Sequence, residues 1–188
     1  THLDRIPDRM TRIKERFGAP SILINNAGNH LKKDALETTD KEFAHVFDTH
    51  VMSAFSLSRS LAPGMIERGH GSIVFIASMT SLIGLPKTIA YAAAKSAYLG
   101  LVNTLATEFS PHGVRVNAIA PGFILTDISR KALDQDPQRL DKVLKRTPMN
   151  CRGNPDDIGY AAVYLCSPAA KFVTGIVLPV DGGFRIGF

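Results

Sequence analysis

Residues 71–78 read GSIVFIAS. Four successive apolar side chains, Ile73 to Ile76, leave no polar face, although strand side chains alternate between the two sides of a sheet. Such a strand is buried on both faces, as in a mainly parallel sheet covered by helices. The stretches SILINNAG (21–28), VRVNAIAPG (114–122) and TGIVLPVDGG (174–183) read alike. Each is an apolar run ending at polar or small residues, so four buried strands are expected.

Helical patterns fill the intervals. Ile6, Met10, Ile13 and Phe17 repeat at helical spacing between Thr1 and Gly18. Thr39 followed by Glu42 is a capping box, opening a helix that extends to about Arg68, with Pro63 and Gly64 expected to kink or end it. A helix over about 88–110 carries Leu101, Leu105 and Phe109, and Gly113 is placed to close it. A mixed polar helical region spans 126–146. Another helix starts at Asn154, with Pro155 first and Asp156 and Asp157 in its opening turn. Strands alternating with helices predict an α/β fold, a Rossmann-like doubly wound parallel sheet.

The chain has 188 residues, 45% hydrophobic and 21% charged, which suits one domain, 1–188. A net charge of +5 is spread without a basic block interleaved with aromatics, so no nucleic-acid partner is expected. No apolar run reaches bilayer length, so no membrane partner is expected. Cys151 and Cys166 lie far apart with no ligand-spaced neighbour. That argues against a metal site or disulfide framework and fits a reducing cytoplasm. A doubly wound domain has two βαβαβ halves, and this chain supplies about four strands, with no glycine-rich phosphate loop after an early one. The first βαβαβ part, roughly 60 residues, is expected to be absent from this sequence.

The densest chemistry is YAAAKSAY (91–98). Tyr91 and Lys95 are four apart and share a helix face. Ser78 ends the strand thirteen residues earlier, and Asn26–Gly28 and Pro121–Gly122 end two others. Ligands of open α/β sheets sit outside such strand ends. A phenol ionises near 10, and a neighbouring ammonium lowers that value. A serine hydroxyl can hydrogen-bond a substrate oxygen as charge develops. The set suits proton transfer at a carbonyl or alcohol oxygen.

NNAG, FIAS, YAAAK, VNAIAPG and PVDGG, in this order and spacing over nearly the whole chain, resemble the short-chain dehydrogenase/reductase family. The resemblance implies NAD or NADP as cofactor and a small-molecule carbonyl or hydroxyl substrate. It implies Tyr91 as catalytic acid/base, Lys95 as the group that lowers its pKa and binds the nicotinamide ribose, and Ser78 as holder of the substrate oxygen. Asn26, Ala27 and Gly28 would line the cofactor site, supported by Asn25. Pro121, Gly122, Ile124 and Thr126 would pass the nicotinamide end, and residues 123–151 would form the substrate lid.

His50 departs from the pattern. It lies on an apolar stripe with Phe43, Val46, Phe47, Ala54 and Leu57, where the family usually has an asparagine in a proton relay toward the lysine. Histidine can donate and accept hydrogen bonds, so His50 is taken as the fourth catalytic residue, against a plain core role. Asn117 is expected to satisfy buried backbone and Asp181 to make a turn. Asn29 and His30 could face substrate, and Cys151 shows no sign of a reactive thiol. A serine hydrolase of Ser78, His50 and Asp48 is disfavoured, because Ser78 lacks a nucleophile elbow and Asp48 is two residues from His50 on a helix.

Met79, Leu85, Pro86 and Phe123 are candidate pocket walls. Arg130, Lys131, Lys142, Lys145 and Arg146 in the lid could favour an anionic substrate or form a solvated basic face. FDTHV (47–51), YLCSPAAKFVTG (164–175) and DGGFRIGF (181–188) are most similar to the gluconate 5-dehydrogenase-like branch, which acts on sugar acids. A 3-oxoacyl-carrier-protein reductase is the alternative within the family, and a non-catalytic truncated scaffold the alternative outside it. The resemblance also implies a homotetramer through the two long central helices and the last helix and strand.

Overall fold

The structure, a computed structural model, describes residues 2–188 without the side chains of Ile128, Lys131 and Ala132. Thr1 and the side chain of Lys131 therefore lie outside the described residues. The expected strands form: β1 (Ile22–Asn25), β2 (Gly71–Ile76), β3 (Val114–Pro121) and β4 (Val177–Val180). They make one all-parallel sheet in the order β1-β2-β3-β4. Helices α1 (Ile6–Phe17), α2 (Asp40–Phe47), α3 (Ser53–Glu67), α4 (Ile89–Phe109), α5 (Asp127–Leu133), α6 (Pro137–Arg146) and α7 (Pro155–Cys166) fill the connections.

Strand alternation explains why β2 has no polar face. Ile73 and Phe75 join α3 and α4 residues in one core, with Leu61, Met65, Tyr98 and Val102. Val74 faces the other way, into a core with Ile119, Ala162 and Leu165 under α7. Each fully buried Val, Ile or Phe stabilises the fold by about 1.5–3 kcal/mol. A Phe75→Ala change, losing both contacts and volume, would cost about 3–5 kcal/mol.

Two expectations are corrected. β1 is an edge strand rather than a buried one: Ile22 is 48% exposed and Ile24 44%. Its main helix contact is with α3. The helix opened by the Thr39–Glu42 capping box does not break at Pro63. Pro63 lies inside α3 with an exposed ring, so the carbonyl it leaves unbonded, on exposed Arg59, meets water. Buried Leu61, Ala62 and Met65 hold that turn on the sheet. The irregularity sits earlier, as a π-helical turn over Asp48–Met52.

The remaining punctuation acts as read. Gly113 adopts φ 80° after α4, and a side chain there would strike the Gly69 carbonyl. Asn117 donates to Val173 O at 3.0 Å and accepts from Ile176 N–H at 3.2 Å. Asp181 accepts from the N–H groups of Gly183 and Arg185, closing the last turn. Among the described residues no helix is long and apolar enough to cross a membrane.

Candidate active site

Beyond the carboxyl ends of β1 and β2, Ser78, Tyr91, Lys95, His50 and Gly28 are brought together. Ser78 follows β2 and starts a short 3-10 turn, its Oγ accepting from Thr80 N–H at 3.2 Å. That bond takes an acceptor position, so the serine hydrogen stays free for another oxygen. Tyr91 and Lys95 lie in the first two turns of α4. The Lys95 ammonium is 5.6 Å from the Tyr91 ring centroid and 4.9 Å from that of Tyr98. Its Nζ donates to Ile76 O at 2.5 Å.

Burial governs the titration of this pair. It pushes Lys95, 3% exposed, down to about 7. It also holds the Tyr91 hydroxyl above its ordinary value, with the Ser78 hydroxyl pulling the other way. Burial is the larger influence on the Tyr91 hydroxyl. Both groups are desolvated, which disfavours phenolate and ammonium together.

His50 lies in the π turn, 1% exposed. Its ring is edge-on to Tyr91, centroids 5.5 Å apart. Nε2 lies 2.7 Å from Asn29 O and 3.2 Å from Asn29 N, so one tautomer donates to that residue and the other accepts from it. Burial and the Lys95 charge lower its pKa to about 4, which keeps it neutral at pH 7. Its backbone carbonyl receives the Tyr98 hydroxyl at 3.2 Å. Sequence reasoning did not single out Tyr98, though its place seven residues after Tyr91 puts both on one face of α4. A hydrolytic triad is absent among the described residues: His50 Nδ1 has no partner and Asp48 is exposed.

Asn26, Ala27 and Gly28 form an exposed run after β1. Asn25, at the strand end, donates to Ser58 Oγ at 3.3 Å. Gly122 lets the β3 exit abut the turn after β4, since a side chain there would come 2.6 Å from Asp181 Cα. Ile124 pairs with Gly153, and Leu125 N–H donates to Gly153 O at 2.8 Å. Thr126 caps α5. That pairing ties together the two ends of the 123–151 segment. Its body packs down through Leu133, Leu140 and Val143 onto Met79, Ile83, Leu85, Phe123 and Phe184, while Pro86 is exposed.

Of the basic residues in this segment, Lys145 pairs with Asp141 at 2.7 Å, and Arg146 lies 4.9 Å from the Phe184 ring centroid. Arg130 and Lys142 are exposed. Arg139, which the sequence reading passed over, is half-buried. It acts on His30, whose ring contacts Tyr91 at 4.7 Å between centroids.

Asn25 Oδ1, His50 Nδ1 and Thr80 Oγ1 are buried without hydrogen-bond partners. Unmet polar groups at strand ends, beside Lys95 and the exposed 26–28 run, fit the ribose and amide end of a nicotinamide nucleotide.

A family model described as enoyl-(acyl carrier protein) reductase matches residues 1–185. A 2-dehydro-3-deoxy-D-gluconate 5-dehydrogenase of Pseudoalteromonas atlantica is 42% identical over 172 residues, covering 92% of this chain and 67% of the relative. A galactitol 2-dehydrogenase (L-tagatose-forming) of Cereibacter sphaeroides is 40% identical over 174 residues, covering 92% and 68%. The crystal structure of a gluconate 5-dehydrogenase from Burkholderia cenocepacia, in complex with NADP and tartrate, superposes with a TM-score of 0.94 at 31% identity, covering 98% of this chain and 72% of that one. The chain thus spans about two thirds of the length of the curated relatives it matches. On the motif order, the parallel sheet and these matches, the chain belongs to the short-chain dehydrogenase/reductase family.

Proposed function

We propose that the protein is an NAD(P)-dependent oxidoreductase that interconverts a secondary alcohol and a ketone on a sugar acid of the gluconate type. The observation that carries this reading is the convergence of Ser78, Tyr91 and Lys95 at the strand ends, with Tyr91 held protonated by burial. The names of the relatives, and the tartrate bound to a structural neighbour, support a hydroxy acid as substrate.

A nicotinamide bound here supplies or accepts the hydride. Asn26, Ala27, Gly28, Pro121, Gly122, Ile124 and Thr126 are the residues to hold its nicotinamide end, together with Tyr91 and Lys95. Ser78, anchored by Thr80, donates to the substrate oxygen and orients it. In ketone reduction Tyr91 gives its proton to that oxygen and needs no lowered pKa to do so. In alcohol oxidation Tyr91 must first lose that proton, and a cationic Lys95 beside it favours the phenolate. His50 positions the loop through Asn29 and sets the edge of Tyr91.

A cytoplasmic homotetramer completes the proposal. Exposed Tyr160, Val163 and Tyr164 on α7 support self-association through that face. The test is to incubate the protein with gluconate and NAD or NADP, following reduced nicotinamide by absorbance. Reduced cofactor with a keto acid product is the expected result. No turnover of gluconate, 2-dehydro-3-deoxygluconate or galactitol with either cofactor would overturn the reading.

A further inference from the structure

At the amino ends of β1, β2 and β3 lies a cavity of about 630 Å³, with the 166–174 stretch after α7 as its other wall. Small-ligand sites span about 300–1,000 Å³, so its size suits a metabolite. The strand β2, about 20 Å of extended chain, separates it from Ser78. It is therefore a different place from the Tyr91 site.

Its charge has one sign. His70, Arg115 and Lys171 line it, and among the described residues no carboxylate does. Arg115, the second residue of β3, is half-buried. Its guanidinium donates to Val173 O at 3.2 Å and to Ser167 O at 3.5 Å. Those carbonyls hold the fork in place and leave three of its five N–H donors over. Lys171 is exposed on the same wall. Among the described residues neither cation forms an ion pair, whereas Lys33, Lys87, Lys145 and Arg152 each have a carboxylate.

Hydroxyls stand beside the two cations. The Ser110 and Thr174 oxygens are 3.0 Å apart, and Val116 N–H fixes Thr174 Oγ1 at 3.1 Å. Two cations and several polar groups suit a dianion with three free oxygens better than a single carboxylate. The cavity also borders the Phe172 ring, which is 100% exposed and offers a flat apolar face.

We infer that this cavity is a second ligand site, which takes a small phosphate monoester: Arg115 and Lys171 hold the phosphate, and the Phe172 ring receives an apolar body. The site is independent of the reaction proposed at Tyr91, and neither reading needs the other.

Amide-resolved NMR titration of nitrogen-labelled protein with phenyl phosphate tests it. Shifts are expected at Gly71, Gly113 and 167–174, and not at Ser78 or Tyr91. Benzoate, the same ring with a single charge, is expected to bind more weakly, and so is inorganic phosphate, which lacks the ring. Phe172→Ala is expected to remove the advantage over inorganic phosphate. Lys171→Gln is expected to weaken phenyl phosphate about threefold to fivefold, the scale of an exposed ion pair. Arg115→Gln should weaken it about tenfold or more, the scale of a charge-assisted hydrogen bond. Because Arg115 also ties down 167–173, Lys171→Gln decides the matter if the arginine variant does not fold. Lys142→Gln, the same charge change on α6, is expected to leave binding unchanged. Shifts confined to 78–95, equal binding of benzoate, or wild-type affinity in Lys171→Gln would each overturn the proposal.

Discussion

The imidazole of His50 fills the space beside Gly28 that a side chain would need: a methyl built on Gly28 falls 2.2 Å from Cε1 and 2.8 Å from Nδ1. The glycine of the first loop and the histidine of the π turn therefore form a matched pair. Gly28→Ala is expected to destabilise the protein by about 1–3 kcal/mol, because the buried ring has little room to give way. Gly28→Ala combined with His50→Ala should recover most of the loss caused by Gly28→Ala. Urea midpoints for the single and double variants check this, and purely additive losses would show that the contact is not the cause.

Tyr98 supports the same ring from below. Its hydroxyl bonds the His50 carbonyl at 3.2 Å, and its ring packs against Phe75 with centroids 5.1 Å apart. Tyr98→Phe keeps the packing and loses the bond, so stability should fall by about 0.5–1.5 kcal/mol. Turnover should fall as well, since the π turn would lose a tie that fixes His50. Chemical denaturation and steady-state kinetics on one preparation measure both. Unchanged turnover with lowered stability would make Tyr98 a core residue only.

Acid should act on the fold through His50. Below about pH 6.5 the imidazole of the unfolded chain takes up a proton, whereas folded His50 stays neutral to about pH 4. The unfolded state then binds more protons, so stability falls as pH drops through that window. The loss from this group amounts to about 2–3 kcal/mol at the acid end. His50→Gln should flatten the profile there, and stability curves of wild type and variant that run parallel from pH 7.5 to 4.5 would contradict the assignment.

Much of this was legible in the sequence, for identifiable reasons. The apolar runs gave all four strands, because burial on both faces leaves a continuous signature. The Tyr91–Lys95 spacing and Ser78 at a strand end survived folding as neighbours because helix period and sheet topology alone decide them. β1 carries the same apolar signature, although Ile22 and Ile24 are exposed among the described residues. Pro63 was misread because its orientation to solvent, which makes its missing bond harmless, is a tertiary fact. The π turn at Asp48–Met52 has no residue signature, yet it faces the His50 carbonyl toward Tyr98.

His50 itself carries a kinetic prediction. If it positions the reacting tyrosine, His50→Ala should slow turnover by about tenfold or more while cofactor affinity changes little. A rate equal to wild type, with stability alone reduced, would leave His50 a core residue tied to Asn29 through Nε2.

The account stands most directly on the hydroxyl of Tyr91. Tyr91→Phe removes one oxygen, keeps the contacts of the ring with His30 and His50, and leaves the fold in place. We predict that hydride transfer to NAD or NADP then falls by about 100-fold or more, the lower range of a lost acid/base group. Turnover of Tyr91→Phe comparable to wild type would contradict the mechanism at its centre.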